Sequence, residues 1–319
     1  MPSIAEKAIE EAFRALVIRI TENSGNVLTD YQVKIVLNDT NFTDWDKVQS
    51  DGSDIFFLDE NGNPLYFWIE EFDKTAKKAT IWVKVPQIPA NGETTIYMCY
   101  GGMENPFSSY HDLENVFDFF DDFADLTKWT EIKDGNSYIK VDNGVLQIYS
   151  DGMNRAYART NTQFNAPFIL EVKAKRVENI AIVVHWDGVI AGDYDNINNG
   201  YYAPRYRTWD PTPLFQIEKF ENNVRIPLND YEYDLDYNYH IYKVVCKNDG
   251  IDIYFDGSLI LSTTDTTFTN GYIGLSGRER PAGKVAEYDW VRVRKYVDPE
   301  PSISIVESKF LAKHRIDLY

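Results

Sequence analysis

The sequence predicts an all-β protein: two β-sandwich (jelly-roll) domains in tandem, preceded by a short N-terminal helix. Three observations predict it. Apolar residues recur with period two from Leu16 onward, the spacing of strands with one buried face. Turn signals such as Asn248-Asp-Gly250 and Asp256-Gly257 break the chain at short intervals. Aromatic residues reach 15%, with 22 Tyr, 18 Phe and 7 Trp, and strands favour such side chains. At 319 residues, 44% of them apolar, the chain can fill two cores at roughly 100–200 residues per domain.

Taken in order, Ile4, Ala8, Ile9, Ala12 and Phe13 recur at helical spacing, with Ser3 and Glu6 as a capping box, so residues 3–13 are expected to be helical. This helix either packs as a flap or mediates self-association. Alternation then takes over: Tyr31, Val33, Ile35 and Leu37 share one face, and the runs 80–85 and 95–100 look similar. Asp59-Glu-Asn-Gly-Asn-Pro64 joins two apolar runs as a hairpin turn. The expected domains are 1–104, a linker at 105–115, a larger jelly roll at 116–297 and a tail at 298–319. In that tail, residues 302–306 suit an edge strand, and Phe310, Leu311, Ile316 and Leu318 suit an assembly contact.

Charge and cysteine content exclude several functions. Asp plus Glu exceed Lys plus Arg by 18, so no nucleic-acid partner is expected. No apolar run approaches the ~20 residues that span a bilayer, so no membrane insertion is expected. Cys99 and Cys246 stand alone in apolar runs and read as buried thiols. Met1-Pro-Ser-Ile-Ala-Glu-Lys7 has no apolar h-region of a signal peptide. The expected location is nonetheless extracellular, on a cell or virion surface, the chain being a virion component or a trimmed surface ectodomain.

The first domain resembles DUF2341, a family of uncharacterised extracellular β-sandwich domains. The resemblance is carried by Asn23-Ser-Gly25, Leu28-Thr-Asp-Tyr-Gln-Val33, Ser50-Asp-Gly-Ser-Asp-Ile55 and Tyr66-Phe-Trp-Ile-Glu70, then by Trp82-Val-Lys-Val-Pro86, Ile88-Pro-Ala-Asn-Gly92 and Tyr97-Met-Cys-Tyr-Gly-Gly102. The second resembles concanavalin A-like lectin/glucanase (laminin G-like) domains. Here the carriers are Phe117-Asp-Phe-Phe-Asp-Asp-Phe123 with Trp129, Gly144-Val-Leu146, Tyr239-His-Ile-Tyr-Lys-Val244, Ile253-Tyr-Phe-Asp-Gly257, Gly271-Tyr-Ile-Gly274 and Tyr288-Asp-Trp-Val-Arg-Val293. Together the resemblances imply a surface or adhesive role.

Glucanases of this class carry Glu-x-Asp-x-(x)-Glu on a strand, and a retaining carboxyl pair sits ~5–5.5 Å apart. Glu232-Tyr-Asp-Leu-Asp236 comes nearest, but it ends in the shorter Asp, so no catalytic residue is assigned and no enzyme is expected. The resemblance implies a structural calcium at Asp122 and Asp289, amid Asp118, Asp121 and Asp125; the plain alternative is loop capping. For a glycan, the best candidates are His185, Trp186, Asp187, Tyr201, Tyr206, Arg207 and Trp209. Rings would cover sugar CH faces while Asp and Arg bind hydroxyls, although strand alternation would bury some of the rings as core. The expected function is non-catalytic recognition of a glycan or glycosylated host or cell surface. The alternative is a structural building block of a virion or surface layer, and a glycoside hydrolase comes behind both.

Overall fold

Alternating apolar residues give each strand one face to bury, and the chain buries them in two separate cores. The computed structural model describes residues 14–150, 154, 156–175, 179–189, 197–208, 212–278 and 285–310. The chain divides into two units: residues 1–118 with 297–319, and residues 119–296. The helix expected at 3–13 lies outside the described residues.

The first unit contains β1 (Arg14–Thr21), β2 (Leu28–Leu37), β3 (Phe56–Leu58), β4 (Phe67–Asp73), β5 (Lys78–Ile88), β6 (Glu93–Tyr100) and the one-turn helix α1 (Leu113–Val116). A three-stranded sheet runs β2-β5-β4. Tyr31, Val33, Ile35 and Leu37 are all buried, as their spacing predicts, and meet Ile81, Val83 and Val85 in the core.

The segment expected to be a linker, 105–115, is instead packed into this unit. Asn105 Nδ2 donates to the Ile55 carbonyl at 2.8 Å, and its Oδ1 accepts from the Phe107 N–H at 2.7 Å. Phe107 is buried beside Phe56 at 5.4 Å. Asp112 caps α1 by accepting from the Glu114 and Asn115 N–H groups. Two apolar anchors, Phe107 and Val116, hold down a stretch whose polar composition reads as free chain.

The second unit begins with β7 (Phe119–Asp121), β8 (Trp129–Lys133), β9 (Tyr138–Asp142), β10 (Val145–Tyr149), β11 (Ala156–Asn165), β12 (Phe168–Lys175), β13 (Asn179–Trp186) and β14 (Gly200–Arg207). It continues with β15 (Leu214–Glu221), β16 (Val224–Glu232), β17 (Tyr239–Lys247), β18 (Gly250–Phe255), β19 (Ser258–Thr263), β20 (Asn270–Arg278) and β21 (Ala286–Lys295). One sheet runs β19-β18-β17-β12-β21-β10-β9, with β7 also on β21; the other runs β16-β15-β14-β13-β20-β11-β8. Leu170, Val172, Val244 and Val291 from the first meet Ile182, Val184, Phe215 and Leu275 from the second. Every pairing is antiparallel, as a sandwich of this kind requires.

The chain then returns to the first unit. β22 (Ser302–Phe310) pairs with β1, extending a sheet of order β22-β1-β6-β3, and Ile303 and Ile305 pack against its core. β22 is itself an edge strand of that sheet, paired on the β1 side. Cys99 and Cys246 are buried free thiols, and burial pushes the Cys99 thiol up to about 12.

Candidate ligand-binding face

In the seven-stranded sheet of the second unit, alternate residues point to the core and to the outer face. Tyr201, Tyr206, Phe215 and Ile217 turn inward. On the other side, Tyr157, Val183, Trp186, Tyr202 and Phe220 form a second buried cluster. Glu218 is fully buried and gathers three guanidinium groups: Arg205 Nη1 at 3.0 Å, Arg207 Nη1 at 3.0 Å, and Arg225 through both Nε, at 2.8 Å, and Nη2. Burial raises the carboxyl's proton affinity, but the arginines outweigh it and hold the group below the ordinary glutamate range. It is an ionised acceptor already filled.

The rings expected to stack on sugar are inside the protein. Trp186, Tyr201 and Tyr206 have no exposed surface. Trp186 packs 5.5 Å from Tyr157 and over Gly274, where an added Cβ would sit 3.0 Å from the indole. The Tyr206 hydroxyl accepts from the Leu235 N–H at 3.0 Å, while Arg207 belongs to the Glu218 cluster. His185 is buried edge-on to Phe168, with a backbone φ of 51° and no partner for Nδ1, and burial pushes it down to about 4. Asp187 is exposed, and it accepts from Val189 N, Asn198 Nδ2 and Asn199 Nδ2 at 2.8–3.0 Å. Trp209 lies outside the described residues. A sheet covered on both faces hides the rings that alternation alone would place outside.

Calcium was expected at Asp122 and Asp289. Asp289 holds Lys173 Nζ at 2.7 Å, and Asp122 is exposed. Asp121 is spent on the Trp129 indole N–H and the Phe123 N–H. Among the described residues, no three His, Cys, Asp or Glu side chains are grouped to hold a metal, whereas calcium takes six to eight oxygens.

Exposed aromatic surface appears elsewhere, from the end of β16 to the start of β17. Tyr231, Tyr233, Tyr237 and Tyr239 are 36–50% exposed. Tyr231 stacks on Tyr233 at 6.2 Å and 22°, and Tyr233 stacks on the buried Phe215 at 5.8 Å. Leu235, itself buried, pins the strip to the core. The Tyr239 hydroxyl donates to Glu287 at 2.9 Å. Between the rings stand the exposed Glu232 and Asp234. The alternation Tyr231-Glu-Tyr-Asp-Leu-Asp-Tyr-Asn-Tyr239 is the signal that could have found them.

Its far end is clamped. His240 Nε2 lies 2.8 Å from Asp236 and Nδ1 lies 2.7 Å from Asp256, with the ring 4.6 Å from Phe255. Burial opposes charging this imidazole, but the two carboxylates prevail and raise its pKa. The His240 and Asn238 hydrogen bonds lower Asp236 to about 2. Glu232-Tyr-Asp-Leu-Asp236 therefore leaves its strand after Glu232, and its last carboxylate is bound to an imidazole.

A family profile described as a domain of unknown function (DUF2341) matches residues 51–132, which run from the first unit into β8 of the second. An uncharacterized protein of Sulfolobus islandicus rod-shaped virus 1 is 29% identical over 158 residues, 42% of this chain. That match takes in 28% of the viral protein's length. Among solved structures, a carbohydrate binding module from Bacillus subtilis is similar with TM-score 0.38 and 18% identity, over 56% of this chain and 96% of its own. A Bacillus subtilis protein of unknown function with a galectin-like fold gives 0.45 and 14%, over 56% and 95%. A beta-1,3-glucanase from Mycobacterium marinum gives 0.40 and 15%, over 56% and 98%.

Proposed function

We propose that the second unit recognises carbohydrate without catalysis, through the tyrosine strip 231–239. One observation carries the proposal: Tyr231 and Tyr233 are stacked, anchored on Phe215 and still exposed, beside the carboxylates of Glu232 and Asp234. Fixed rings cover the CH face of a sugar at low entropic cost, and carboxylates accept from its hydroxyls. The non-catalytic part rests on how the acids are used, Asp236 by His240 and Glu218 by three arginines. A place on a virion or cell surface belongs to the same proposal, supported by the viral source of the 29% identical relative.

The test is a glycan array probed with wild type, Tyr231→Ala and Tyr237→Ala. Loss of a ring from the strip should weaken binding by about 1–3 kcal/mol, roughly fivefold to 150-fold, by analogy with aromatic–base stacking. Unchanged binding in both variants, or no glycan bound by wild type, would overturn the proposal.

A further inference from the structure

A second site lies in the first unit. The loop at 51–55, β4 and the segment 105–111 line an open cavity of about 390 Å³, within the range of small-ligand sites, with Asp51 and His111 exposed at its mouth. Its apolar floor is Ile55, Phe67, Ile69 and Phe72, with Asp51, Ser53, Asn105 and His111 around it. Every lining residue falls inside the stretch 51–132 that matches the family profile.

The chemistry of the lining is one-sided. Asp51 accepts from the Ser53 N–H at 3.0 Å, and the Ser53 hydroxyl and N–H keep its carboxyl ionised. It makes no ion pair among the described residues, and no Lys or Arg lines the cavity. His111 accepts from the Ile69 N–H through Nε2 at 3.3 Å, and burial lowers its pKa despite the neighbouring Asp112. It is therefore neutral near pH 7. Its ring stacks on Phe67 at 5.0 Å and 19°, continuing the aromatic wall. The half-buried Phe72 ring packs on Gly52, where an added Cβ would lie 3.1 Å from the ring, and it has Trp45 at 5.9 Å.

We propose that this cavity binds an alkylammonium group, the carboxylate of Asp51 supplying the counter-charge and the Phe72 and His111 rings the aromatic wall. Aromatic faces attract cations through their quadrupole, most strongly where water is partly excluded. The excess of 18 acidic over basic residues favours the approach of a cation. This site lies in the unit without the tyrosine strip and does not depend on carbohydrate binding.

The experiment is saturation-transfer NMR on the full chain with three probes. These are choline, its uncharged isostere with carbon in place of nitrogen, and Nα-acetyl-lysine amide. Choline should bind saturably, with the isostere at least about tenfold weaker. Asp51→Asn and Phe72→Leu should each lower choline affinity about tenfold, with folding checked by circular dichroism. Binding of choline alone assigns the site to free quaternary ammonium compounds; binding of both cations extends it to lysine side chains. Equal binding of the isostere, unchanged affinity in both variants, or no binding of either cation would overturn the proposal.

Discussion

Replacing Glu218 with Gln removes the carboxylate charge that Arg205, Arg207 and Arg225 share. Its side chain has no exposed surface, and those of Arg205 and Arg207 are 8% exposed, so water cannot take over solvation of the cations. Arg225, more exposed, can swing out. Breaking a buried pair from one side typically costs about 3–5 kcal/mol, because the charges left behind lose that partner while staying desolvated. In a unit of this size, about 2–4 °C per kcal/mol gives a fall in melting temperature of roughly 6–20 °C. Differential scanning calorimetry at pH 7 measures it directly. Replacing Glu218, Arg205 and Arg207 together by apolar residues of similar volume should recover most of the loss. A Glu218→Gln protein melting within about 2 °C of wild type would show that the cluster is hydrated and that the reasoning fails.

Acidification should act on two histidines in opposite directions. His240 has a raised pKa in the fold, so its contribution is full below the unfolded value near 6.5 and lost as pH rises through the folded value; Asp236, at about 2, holds its own contribution above its unfolded value of 3.8. The melting-temperature gap between wild type and His240→Gln should therefore be wider at pH 5.5 than at pH 8.5, and a gap independent of pH would refute the clamp. His185, at about 4, makes the folded state bind fewer protons, so its contribution falls as pH drops from 6.5 towards 4, and His185→Gln should flatten that part of the profile. Trp186→Ala should cost about 3–5 kcal/mol in urea unfolding, with any loss of glycan binding tracking the unfolded fraction.

Much of the first unit was legible because its strands bury one face. The alternation through Tyr31, Val33, Ile35 and Leu37 matches their burial. That signal vanishes in β14, where all eight residues are buried because both faces of the sheet are covered. Tyr201 and Tyr202 point to opposite sides and are equally hidden, so no pattern in the sequence separates core from surface there. The Arg207–Glu218 contact was equally invisible, since it depends on the register of the β14–β15 hairpin, with Arg205 opposite Gln216 and Tyr202 opposite Glu218 across a bulge. In the segment 105–115, local composition signalled a linker, and two long-range apolar anchors overruled it.

The same physics explains where surface remains for recognition. Strands in the middle of the seven-stranded sheet have neighbours on both sides and covered faces, so their aromatic side chains are consumed by packing. β16 is an edge strand with seven of its nine residues exposed, and its side chains are the ones left with a free surface. An exposed aromatic edge invites pairing with other chains unless charges interrupt it. Glu232 between Tyr231 and Tyr233, and Asp234 after Tyr233, supply those charges, so the pattern that protects the edge also sets a carboxylate beside each ring. Alternate aromatic and acidic positions thus meet two demands with one arrangement, protecting the edge and presenting both the apolar and the hydrogen-bonding halves that the proposed sugar site requires.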